Sequence, residues 1–123
     1  MTLENFPSIT CEITFLNPNE NGRRAFPAGA LNGCTYRPHI VIGNPNQREA
    51  IVDDANQGTE EYLGVCFQES PDTVEMGKKF IAILKLPYYP RLSYEQITEG
   101  ATFTIREGHK VVGFGKVLKV FGK

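Results

Sequence analysis

Tryptophan is absent, methionine and histidine occur twice each, and the three cysteines contain no CxxC pair. No apolar run approaches the ~18 residues that a membrane-spanning helix requires, so no membrane role is expected. An excess of one charge is also missing. Thirteen Lys and Arg against fourteen Asp and Glu leave a net charge of −1, whereas strong non-specific nucleic-acid binders carry a clear basic excess or stripe. Cys11, Cys34 and Cys66 are an odd number, and Cys34 and His39 have no second ligand pair to complete a tetrahedral zinc site. Three reduced thiols, no metal and a cytoplasmic setting are the expectation. The opening Met-Thr-Leu-Glu-Asn has neither the basic region nor the apolar segment of a signal peptide, and Met1 suggests a complete reading frame. No Gly-x4-Gly-Lys-Ser/Thr string exists to cradle phosphates. The short Gly113-Phe-Gly-Lys116 lies in a strand pattern, so neither nucleoside triphosphate binding nor any cofactor is expected. No helical period is sustained, and no segment repeats.

What is present suits one all-β domain over 1–123. Hydrophobic residues make up 41%, with eight Phe and five Tyr, enough for a single core at this length. Twelve Gly and eight Pro, spread along the chain, punctuate short segments. Residues 8–16 alternate, with Ile9, Cys11, Ile13 and Phe15 on one face. Residues 17–33 read as a long loop and 35–42 as a strand. Pro38 cannot donate to a ladder, which places that strand at an edge or a bulge. A turn at 43–48, a short strand at 50–52 and a loop at 53–59 follow.

Leu63, Val65 and Phe67 share a face. Residues 80–86 are nearly continuous apolar sequence, as in a strand covered on both sides. Pro87 to Pro90 must then leave the sheet, and 94–97 reads as a helical turn or a bent connection. In 111–120 the apolar positions occupy both parities, so either both faces are partly covered or a bulge shifts the phase. The expected core is Ile9, Ile13, Phe15, Leu63, Val65, Phe67, Phe80, Ile83, Leu84, Phe103 and Ile105.

Three local features carry chemistry. In the turn Arg106-Glu-Gly-His109, Gly108 supplies a positive φ, and Arg106 and Lys110 flank it as solvated charges. In the loop Glu20-Asn-Gly-Arg-Arg24, the guanidinium forks of Arg23 and Arg24 suit phosphate or carboxylate, or are simply solvated. Tyr88, Tyr89 and Tyr94 with Arg91 form a stacking or partner surface, or pack at the core rim. Pairing of Cys34 with His39 or His109 as a catalytic dyad requires a geometry that sequence does not give.

The stretch Phe103-Thr-Ile-Arg-Glu-Gly-His-Lys-Val-Val-Gly-Phe-Gly-Lys-Val-Leu-Lys-Val120 resembles the closing hairpin of the C-terminal barrel of elongation factor Tu, the GTPase that carries aminoacyl-tRNA. Asn21-Gly-Arg-Arg-Ala-Phe-Pro27 and Tyr36-Arg-Pro-His-Ile40 resemble that barrel's first long loop and second strand. The resemblance covers about 9–121. It implies a closed antiparallel barrel of six strands, and a Glu107-Gly108 turn that touches the T-stem backbone of tRNA. It also implies an Arg23–Arg24 loop at the place where the family's GTPase domain docks. A chain without that domain leaves the surface open for a protein. Departures are His109 for a small residue, Met76-Gly-Lys78 for Pro-Gly-Asp, and a longer, more aromatic 86–98. Gly43 stands where the family has an arginine on the tRNA-facing side, and a lost phosphate contact weakens binding to every sequence alike.

The resulting expectation is a non-catalytic binding module in the manner of a translation factor. It acts on a protein partner, or on the translation apparatus, through Arg23, Arg24, Tyr88, Tyr89 and Arg91. The alternative is an RNA-binding module using Arg37, Arg106, Glu107, Gly108, His109 and Lys110. A small enzyme is the third reading.

Overall fold

The structure is a computed structural model and describes residues 6–20, 22–52 and 60–122. The loop expected at 53–59 lies outside the described residues, as does Asn21. Seven strands form among the described residues: β1 Ser8–Phe15, β2 His39–Ile42, β3 Leu63–Gly64, β4 Cys66–Glu69, β5 Phe80–Lys85, β6 Thr102–Glu107 and β7 Lys110–Phe121. The described residues contain no α-helix, only a 3₁₀ turn at Pro18–Glu20. All pairings are antiparallel, in the order β3-β2-β6-β7-β1-β5-β4.

The expected closed barrel of six strands is corrected to an open order of seven, curled into a half-barrel. The cause lies in 63–69, where Val65 separates two short strands with different partners. β3 pairs with β2, and β4 pairs with β5. Backbone of the preceding loop covers this seam. Val65 N donates to Pro38 O (3.1 Å), Phe67 N to Tyr36 O (3.1 Å) and Cys34 N to Phe67 O (2.8 Å). The second strand begins at His39 rather than at residue 35. Pro38, with no N–H to give, stands just before it and contributes only its carbonyl.

The core lies inside the curl. Every expected core residue is fully buried except Phe80 and Ile83, which are half-buried. The reason is alternation in β5: Ala82 and Leu84 point inward, while Ile81 is 48% exposed. The expectation of a strand covered on both sides is thus corrected to the one-sided burial of an antiparallel sheet. In β7 the phase shifts at two bulges. The register skips Leu118 opposite Thr10 and Cys11, and Val112 opposite Ile105 and Arg106. Gly115 is needed between them, since a Cβ there would collide with the Glu12 carbonyl and the Phe103 ring. Residues 94–97 make a turn closed by Ile97 N on Tyr94 O (2.9 Å). At 50–52 only Val52 makes an isolated bridge.

The cysteine expectation is also corrected. Cys34 and Cys66 form a disulfide, with Cα atoms 4.8 Å apart, within the usual range for such bonds. An odd count requires only that one thiol be left over, and that one is Cys11. Its burial in β1 pushes its thiol up to about 12. The three reduced thiols expected of a cytoplasmic setting are therefore not all present. No helix among the described residues is long and apolar enough to cross a membrane.

Candidate functional site

The β6–β7 hairpin is where sequence and structure differ most. Gly108 adopts φ +62°, as the tight turn demands, but Arg106 is not a solvated flanking charge. Ile105 points into the core, so Arg106, its neighbour in β6, projects to the opposite face. There the chain around Glu60 and Tyr62 covers it completely. Its guanidinium grips the Glu60 carboxylate with two bonds (Nη1 to Oε1 2.9 Å, Nη2 to Oε2 3.0 Å). It also donates to the Tyr62 hydroxyl (3.0 Å) and, from Nε, to Thr104 Oγ1 (2.9 Å). Glu60 further accepts from Ile51 N (2.9 Å) and Gln47 Nε2 (2.9 Å). The guanidinium, with those donors, holds its carboxyl down at about 2 against the opposing effect of burial. A phosphate would have to displace this carboxylate to reach Arg106.

Glu107, the last residue of β6, is committed on the other face of the hairpin. Tyr36 donates its hydroxyl to Glu107 Oε2 (2.6 Å), and Arg23 reaches the same oxygen (2.9 Å). Arg23 also lies 3.7 Å over the Phe26 ring, which packs on Tyr36 at 4.8 Å. Burial pushes the Tyr36 phenol well above its ordinary value, and the Glu107 carboxylate adds to that. Arg37 donates Nε to the Cys34 carbonyl (3.0 Å). His109 and Lys110 remain exposed at the tip. His109 Nδ1 lies 3.1 Å from the Tyr62 hydroxyl, and Lys110 Nζ lies 3.3 Å from Gly22 O. Of the six residues expected to meet RNA, Arg106 is therefore buried, Glu107 and Arg37 are engaged internally, and Gly108, His109 and Lys110 are open.

The expected protein-facing residues fall into two groups. Arg23 is half-buried, and Arg24 is exposed. Tyr88, Tyr89 and Arg91 line, with Phe6, Pro87 and Pro90, a groove of about 390 Å³. Tyr88 is 52% exposed, and its ring rests on Gly64, where a Cβ would strike it. Tyr94 is buried and acts as a strut. Its hydroxyl donates to Gly64 O (2.8 Å) and receives Tyr88 N (3.3 Å), while Leu92 N closes on Tyr88 O (2.9 Å). The groove thus has a fixed backbone beneath an open aromatic rim.

Among the described residues, no group of three or more His, Cys, Asp or Glu is placed to hold a metal. The Cys34 dyad reading is corrected, because its sulfur is bonded to Cys66. Glu60 and Tyr62 are the residues that sequence reasoning missed. The signal, an arginine in a strand that needs a buried counter-charge, does not say which of fourteen carboxylates supplies it. No protein-family model matches the chain, and no curated protein matches it significantly.

Proposed function

We propose that this chain is a non-catalytic binding module of the kind formed by the C-terminal barrel of elongation factor Tu, engaging a protein partner through segment 87–91. The observation that carries the reading is the groove of Phe6, Pro87, Tyr88, Tyr89, Pro90 and Arg91, with Tyr88 half out in solvent on a hydrogen-bonded base. Tyr and Arg are the side chains that most often anchor protein interfaces. A cysteine nucleophile has no support, since Cys34 and Cys66 are bonded to each other and Cys11 is buried. The RNA alternative retains His109 and Lys110 at the tip, but its strongest cation, Arg106, already serves Glu60.

The test is affinity capture from native cells after nuclease treatment. Wild type, Tyr88→Ala/Arg91→Ala and Lys110→Ala are compared side by side. A partner that survives nuclease, disappears with the groove pair and persists with Lys110→Ala supports the reading. Capture that nuclease abolishes, or that ignores the groove pair, overturns it.

A further inference from the structure

The outer face of the β5–β1–β7 ladder is distinct from both the hairpin tip and the groove. Residues opposite one another in an antiparallel ladder share a face. The outward set of β1 is Ser8, Thr10, Glu12 and Thr14. On β5 their partners are Lys85, Ile83 and Ile81, and on β7 they are Phe121, Lys119, Lys116 and Phe114. Lys116 and Lys119 are exposed, Ile81 is 48% exposed and Phe121 51%. Lys79 adds an ammonium 3.9 Å from Glu12, and Arg48 lies 5.0 Å over Phe114. A cleft of about 220 Å³ opens between Glu12, Thr14, Pro45, Lys79, Phe114 and Lys116.

Charge is segregated here. Among the described residues, four of the chain's seven lysines (Lys79, Lys85, Lys116 and Lys119) and Arg48 meet two carboxylates, Glu12 and the marginal Glu69, although the whole chain is at −1. Ammonium groups alternate with the exposed Phe121 ring, the exposed Ile81 and the half-buried Phe114 rather than clustering alone.

We infer that this face is a platform for single-stranded nucleic acid. Lys116 and Lys119, with Lys79 and the half-buried Lys85 (Nζ 3.4 Å from Phe6 O) at the flank, neutralise phosphates, while Phe121, Ile81 and the edge of Phe114 take the apolar faces of unstacked bases. A duplex hides those base faces and leaves the apolar positions without a partner. Lys116 lies about 20 Å along β7 from Lys110, at ~3.4 Å per residue, so the platform does not include the turn.

Anisotropy of a labelled ten-nucleotide oligouridylate, titrated at low salt, tests the inference. The expected result is saturable binding with a log–log salt slope on the order of −3 for four phosphates on a single strand. Lys116→Glu/Lys119→Glu weakens it by about tenfold or more, and Phe121→Ala by roughly fivefold. All of these are exposed positions, and an unchanged urea midpoint confirms that the variants fold. Lys110→Ala leaves the affinity unchanged. Absence of binding to the intact chain, or equal binding by the double lysine variant, overturns the inference. So does equal affinity for a duplex of the same length, or displacement of the oligonucleotide by polyglutamate at matched charge, which would assign the face to an acidic protein.

Discussion

Arg106 and Glu107 are neighbours in one hairpin, yet the ion pairs they enter have little in common. The Arg106–Glu60 pair has side chains 0% and 10% exposed, two parallel bonds and neutral partners on both sides. The Arg23–Glu107 pair is 25% and 34% exposed and joined by one contact of 2.9 Å. A buried pair has left water on both sides and holds only while every hydrogen bond is made; removing one partner strands the other. A half-exposed pair remains hydrated and screened, so either partner can leave at small cost. Within two consecutive residues the chain therefore places one charge that the fold cannot lose and one that it can.

The sharpest way to break this comparison is Arg106→Met. It strands the Glu60 carboxylate and costs about 3–5 kcal/mol in urea unfolding. Adding Glu60→Leu should recover much of that loss, because no buried charge then lacks a partner. A double variant as unstable as the sum of its singles would show that the two residues do not act as a pair.

Acid sharpens the same contrast. Glu60 is held at about 2 in the folded chain against an ordinary 4.5. Being depressed, it contributes stability that is present above the unfolded value and is lost as pH falls from about 5 towards 2. The loss is on the order of 3 kcal/mol. Other carboxylates add their own slopes, so the reading is the difference between wild type and Arg106→Met, whose unfolding curves should converge as pH falls through that window.

The loop that carries Tyr36 is tied by the disulfide as well as by Glu107, and the covalent tie should dominate. Cys34→Ser/Cys66→Ser is expected to cost roughly 2–4 kcal/mol for a closed loop of this length. Alkylation of the denatured, unreduced chain should find one free thiol, Cys11, and three after a dithiol. Three free thiols without reductant would remove the disulfide from the account.

How far all this was legible in the sequence depended on distance along the chain. Ile9, Cys11, Ile13 and Phe15 alternate, and the structure buries all four, because β1 is regular and only one of its faces meets the core. The turn at Gly108 was equally plain, since a single glycine meets its backbone demand. Arg106 reads as solvated because its partner lies 46 residues away, and locally a charged turn looks the same with or without one. Cys34 meets Cys66 across 32 residues for a comparable reason: the loop backbone must first lie against β4. The apolar run at 80–86 reads alike whether Ile81 is buried or left at the surface. Tyr88 and Arg91 do share the groove, but Tyr94, of the same composition class, became a buried strut.

Tyr36→Phe comes next in size. It removes the 2.6 Å bond to Glu107 while keeping the ring against Phe26, and should cost about 1–2 kcal/mol as a hydrogen bond to a charged group.

Arg23→Ala should cost least. Its half-exposed ion pair contributes about 0.2–1 kcal/mol, and its stacking on Phe26 at 3.7 Å about 0.5–1 kcal/mol. The two contributions separate with salt. At ~1 M the screening length falls to about 3 Å, so the ionic part fades and the stacking part remains. Arg106→Met should keep nearly its full cost under the same conditions, because its pair is closed to counterions. Urea midpoints of both variants at low and high salt give the decisive comparison. An Arg23→Ala cost above about 3 kcal/mol, or an Arg106→Met cost that salt erases, would mean that burial is not what distinguishes the two pairs.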